Sequence, residues 1–184
     1  MKPLSIFGAA ALAFALSACS PSVDMPKGTS KGYESARLVK RNPNSSITLT
    51  SREKQAHQLI QNAIKGQFTS NGKSYGQANA DLIVGYMVIV QDSASTTSYN
   101  EYFGFGRDAE GITDAAHMKG VIEGVRPDFF ERAGLLVDVI DAKTNKLVYR
   151  NIYVGDVVKG SSGSARTQRI NQAVAQALAP FFAK

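Results

Sequence analysis

The chain has 184 residues, 21 Lys and Arg against 15 Asp and Glu, and a formal net charge of +6. That length suits one domain with a usable core and argues against a second. One cysteine and two histidines, His57 and His117, are too few ligands for a zinc site, and the basic residues are scattered, which speaks against a nucleic-acid partner.

Met1 and Lys2 give a positive start, and Leu4 to Ala18 is apolar except for Ser5, Gly8 and Ser17. A membrane-spanning helix needs about 20 apolar residues, so this run is too short. Its layout is that of a secretory signal peptide, assigned here to residues 1–18. The run ends in Leu16-Ser17-Ala18-Cys19, which resembles the lipobox of bacterial lipoproteins. The resemblance implies that Cys19 carries a diacylglycerol, becomes the first mature residue and usually gains an amide-linked acyl chain. Two or more chains make a stable anchor where one holds only marginally. Two other readings compete: an ordinary cleaved signal with an incidental cysteine, or a buried free thiol. Lipidation also accounts for an exported thiol that would otherwise invite intermolecular disulfides. In such lipoproteins an aspartate after the cysteine often marks inner-membrane retention, and here Ser20 stands there. The expectation is therefore the periplasmic face of the outer membrane. The basic surface would meet anionic headgroups or acidic envelope polymers, or is a solvated surface with a modest charge excess.

Residues 19–32 contain "SPSVDMPKGTSKG", without hydrophobic periodicity, and read as a flexible tether. A single domain is expected over 33–184. Residues 33–40 offer a first strand with poor alternation. Thr50 and Glu53 have capping-box spacing, opening a helix with Ala56, Leu59, Ile60, Ala63 and Ile64 on one stripe. His57 sits at the stripe's edge, and Gly66 offers a stop. Residues 80–91, "ADLIVGYMVIVQ", read as a strand covered on both faces or in the middle of a sheet. Gly85 within it marks a bulge, a close backbone approach or only a local weakening. "GLLVDVIDA" and "KLVYRNIYVGDVV" follow as an antiparallel hairpin, with Asn145 suited to a left-handed turn. The last helix carries Ile170, Ala173, Val174, Ala177 and Leu178 on one stripe, and Pro180 limits it. These elements predict an α+β two-layer sandwich: a mixed, mostly antiparallel sheet of about four strands with two helices on one face.

"ADLIVGY" followed by "AGLLVDVIDAKTNKLVYRN" and a closing amphipathic helix resembles an uncharacterised family of bacterial envelope lipoproteins, a domain of unknown function. Asp81, Asp138, Asp141, Leu147, Val148 and Arg150 fall on matching positions. Ala133 and Asn151 stand where the family often has glycine, and Tyr149 where it often has tryptophan. The resemblance implies fold and location and supplies no catalytic residue.

No motif points to a cofactor. Gly104-Phe105-Gly106 lacks the later glycine spacing of a dinucleotide fingerprint, and the Gly-Lys-Ser/Thr ending of a phosphate loop is missing. "GSSGS" at 160–164 is no nucleophile elbow, because its neighbours read as a loop before a helix. Asp138 and Asp141, three apart on a strand, belong to opposite faces. The long connection Asp92 to Glu131 holds Tyr99, Tyr102, Phe103 and Phe105 among Ser, Thr, Asn and Gly. These rings either form a contact surface or fold back over the sheet. The function expected is a non-catalytic binding or assembly module of the cell envelope, anchored to the membrane through Cys19 and meeting an envelope protein or anionic polymer. The alternative is an envelope hydrolase whose site is built from residues distant in sequence.

Overall fold

The computed structural model describes residues 23–40, 50–90, 112, 115, 116, 118, 119, 130–158 and 162–183. The elements run β1 (Ser35–Leu38), α1 (Ser51–Ser70), β2 (Ser74–Tyr75), β3 (Leu82–Val90), β4 (Phe130–Asp141), β5 (Lys146–Val158) and α2 (Gly163–Phe182). They form a five-stranded sheet in the order β2-β1-β3-β4-β5. β1 is parallel to both neighbours, while β3, β4 and β5 form an antiparallel meander. The fold is thus the expected α+β class with a mixed sheet. The fifth strand is β2, whose two residues are too few to show a period.

Alternation along the strands sorts the side chains into two cores. Ala36, Leu82, Val84, Leu135, Val137, Val139 and Tyr149 face Ile60, Ile64 and Phe68 of α1 and Val174, Ala177, Leu178 and Phe181 of α2, so both helices cover one face. Met87, Ile89, Leu136 and Ile152 point the other way and meet Ile112, Ala115 and Ala116, with Val23 and Met25 alongside. The central strands are therefore buried on both faces, which is why β3 reads as continuously apolar. Ile112, Ala115 and Ala116 have helical spacing and lie within the long connection from Asp92 to Glu131, and Phe130 and Glu131 at its end already belong to β4.

The helices start as their sequences require and stop later. Thr50 and Glu53 form the reciprocal capping box. α1 then continues four residues past Gly66, because Phe68 buries completely against Phe181 and Phe182. Its stop is Asn71, whose N–H reaches back to the Gln67 carbonyl, followed by Gly72 at φ 75°. α2 likewise runs two residues beyond Pro180, which is itself exposed, and fully buried Phe181 packs at a tilt against Tyr149.

β3 and β4 pair without interruption through Gly85, so no bulge lies there. The irregularity is in the hairpin, between Val139 and Ile140, where Tyr149 pairs with Val139 and Leu147 with Ile140. Val148 is the extra residue. Asp141 starts the turn, accepting hydrogen bonds from the N–H groups of Lys143 (2.9 Å) and Thr144 (2.8 Å), and Asn145 adopts φ 54°, the left-handed conformation expected of it.

The expected flexible tether over 19–32 needs correction from residue 23 onward. Residues 23–32 are docked along the outer edge of β5 and across the end of α2. Val23 and Met25 supply apolar burial, and the backbone supplies hydrogen bonds that composition does not reveal.

Candidate functional site

The docked strap defines the region with the most specific geometry. Gly28 donates its N–H to the Val148 carbonyl (2.8 Å), Arg150 donates its N–H to the Pro26 carbonyl (3.0 Å), and Lys27 bridges Tyr149 between them. Pro26 is acceptable here because the strap uses its carbonyl, and an edge position asks for no donor from proline. A Cβ on Gly28 would collide with the Val148 carbonyl carbon and oxygen, so only glycine allows this approach at the bulge. Further on, Ser30 donates its N–H to the Phe181 carbonyl (2.8 Å), capping α2, and Lys73 Nζ holds the Ser30 (3.2 Å) and Tyr33 (2.6 Å) carbonyls. The strap thus ties the β5 edge to both helix ends before the chain enters β1.

Beneath the strap lies a buried ion pair. Arg150 stands directly opposite Asp138 in the β4–β5 register, on the face away from the helices. Its Nε donates to Oδ1 (2.8 Å) and its Nη2 to Oδ2 (2.7 Å), with side-chain exposures of 0% and 1%. Nη1 reaches the Asp24 carbonyl at 3.4 Å, so the same guanidinium fixes strap to sheet. The planar fork of arginine matches a carboxylate in this bidentate way and lysine does not.

Lys119 extends the row of contacts along the β5 edge. Its Nζ donates to the Ile152 carbonyl at 2.9 Å, two residues beyond Arg150. Burial pushes its ammonium below the ordinary lysine range, with a smaller push from the nearby positive charge of Lys27. Met118 beside it is 84% exposed.

A second polar group closes the far end of the sheet. Asp81 Oδ2 accepts from the N–H groups of Glu34 and Ser35 (both 2.9 Å) and from the Ser35 hydroxyl (2.8 Å). The Glu34 N–H first, then the Ser35 hydroxyl, hold its carboxyl below the ordinary aspartate range. Asp141 is also lowered, chiefly by the Thr144 N–H, and accepts from the Tyr33 hydroxyl at 3.1 Å. Partial burial first, then Asp141, raises the Tyr33 phenol. On the helix face, His57 Nδ1 lies 2.8 Å from the Tyr86 hydroxyl, which also accepts from Gln61 at 3.1 Å. Burial raises the Tyr86 phenol, and the group pins α1 to β3.

Every charged residue matched to the family pattern therefore has a structural partner: Asp81 joins β1 to β3, Asp141 forms the hairpin turn, and Asp138 holds Arg150. Asp138 and Asp141 do sit on opposite faces and form no catalytic pair. Lys27, Lys119, Met118 and the Asp24 carbonyl were not legible as a group, since only the fold brings 24–27, 118–119 and 150–152 together. Cys19, Tyr99, Tyr102, Phe103, Phe105 and His117 lie outside the described residues. Among the described residues there is no group of three or more His, Cys, Asp or Glu suited to a metal, and no helix long and apolar enough to cross a membrane.

Among solved structures, the chain is similar to the PelC dodecamer from Paraburkholderia phytofirmans, at 11% identity over 89% of this chain and 94% of that one, with a TM-score of 0.45. A leucine-to-methionine variant of the same dodecamer matches at 11% identity, 89% and 93% coverage, and a TM-score of 0.42. No curated protein matches the chain. The profile of the family described as "Domain of unknown function (DUF4136)" matches residues 29–181, from the middle of the strap to the end of α2, and the chain belongs to that family.

Proposed function

We propose that the protein is a lipid-anchored, non-catalytic binding or assembly module of the bacterial cell envelope, held through Cys19 at the periplasmic face of the outer membrane. The observation that carries this reading is the short apolar run ending in Leu16-Ser17-Ala18-Cys19, the layout of a lipoprotein signal. The commitment of Asp81, Asp138, Asp141 and His57 to fastening the fold supports the non-catalytic part, because a general acid or base must be placed to meet a substrate. The contact surface assigned to Tyr99, Tyr102, Phe103 and Phe105 rests on the sequence, and its partner would be an envelope protein or an anionic polymer.

The test is metabolic labelling of the full chain with a fatty-acid probe. The native sequence should take up label and fractionate with the outer membrane. Cys19→Ser should do neither. Undiminished labelling of Cys19→Ser would overturn the anchor.

A further inference from the structure

We infer that the outer edge of β5, marked by Lys27, Met118 and Lys119, is a docking surface for an anionic lipid bilayer, which fixes the orientation of the domain on its membrane. This deepens the anchor reading and rests on it.

The geometry starts from where the chain leaves the described fold. Along β5, Val148 receives Gly28, Arg150 receives Pro26, and Ile152 receives the Lys119 ammonium. Every second residue of this edge is thus occupied, first by the strap and then, where the strap turns inward at Asp24 and Val23, by Lys119. Val23 packs in the same core as Ile112, Ala115 and Ala116, and the Lys119 N–H bonds to the Ala115 carbonyl at 3.2 Å. Met118 and Lys119 therefore sit within one helical turn of Ala115 and Ala116, members of the core against which Val23 packs.

Only four residue steps separate Val23 from Cys19, which limits their separation to about 14 Å even when fully extended. A lipid on Cys19 holds this edge at the headgroup layer rather than at a distance from it. What the edge presents there suits that layer: exposed Lys27, an exposed Lys119 whose ammonium rests on the Ile152 carbonyl, and an apolar side chain at Met118 that is 84% exposed. Basic residues next to an anionic surface and an apolar tip able to enter the interface are the two terms of interfacial binding. The helix layer covers the other face of the sheet from Ile112, Ala115 and Ala116, and Gln172 of α2 is exposed on it.

The experiment uses the mature acylated protein, beginning at Cys19, in phosphatidylglycerol-containing vesicles. Cys19 is alkylated in the mature protein, so Met118→Cys and Gln172→Cys each add a single thiol for a fluorophore. Nitroxide lipids should quench the label at 118 and leave that at 172 bright, and Lys27→Gln should lower the docked-to-undocked ratio roughly fivefold. Equal brightness at both positions, with the protein still floating with the vesicles, overturns the docking surface and leaves the anchor intact. A label at 118 shielded from aqueous iodide yet untouched by lipid quencher means that a protein covers the edge, and also overturns the proposal. Failure to float overturns the anchor reading and this inference with it.

Discussion

Removing one partner of the Asp138–Arg150 pair should unfold a large fraction of the protein's stability, whereas removing both should cost much less. With exposures of 0% and 1% the two charges have no water to fall back on. Charge centres about 4 Å apart attract by about 4 kcal/mol at the effective dielectric of a protein, and most of that offsets their desolvation. Arg150→Met leaves a buried carboxylate without its bidentate donor, and Asp138→Leu leaves a buried guanidinium, so each single change should cost about 3–5 kcal/mol. Total stabilities are only about 5–15 kcal/mol. The double variant replaces both charges by apolar groups on a face already lined by Met87, Leu136 and Ile152. Its loss should stay below about 2 kcal/mol, since buried pairs exchanged for apolar residues are often neutral. Urea unfolding of the four proteins gives the cycle and its coupling energy. Additive losses, with the double variant as unstable as the sum of the singles, would refute the claim that the pair is a mutually dependent lock.

Two further outcomes follow from the geometry. Leu178, fully buried between α2 and the sheet, should cost about 2–5 kcal/mol as Leu178→Ala, while exposed Gln172→Ala should stay within about 0.5 kcal/mol in the same urea assay. Asp81 and Asp141 are both held below the ordinary aspartate value of 3.8, so their stabilisation is present above that value and lost as pH falls through the lower folded values; melting temperature should decline below about pH 4, and less steeply in Asp81→Asn.

What could be read from the sequence divides along one physical line, between local pattern and the meeting of distant segments. The capping box, both helical stripes, the apolar β3 and the Asp141–Asn145 turn are each written within a few residues, and each appears in the fold. The Asp138–Arg150 lock is not written that way. Counting back from the Asp141–Lys146 closure of an ideal hairpin sets Asp138 opposite Tyr149 and leaves Arg150 on the other face. One extra residue, Val148, shifts the register and turns Arg150 toward Asp138. The same shift sends Tyr149 to the helix side, where its hydroxyl meets the Ala177 carbonyl. Val148 also offers the carbonyl that Gly28 approaches, so the strap docks on the bulge residue itself. A polar, Pro- and Gly-containing stretch read by composition alone looks like a tether. It becomes part of the domain because its few apolar side chains, Val23 and Met25, and its backbone groups find partners far along the chain, the β5 and α2 backbone partners more than a hundred residues away. A lipid at Cys19 would then act on the β5 edge directly through the strap.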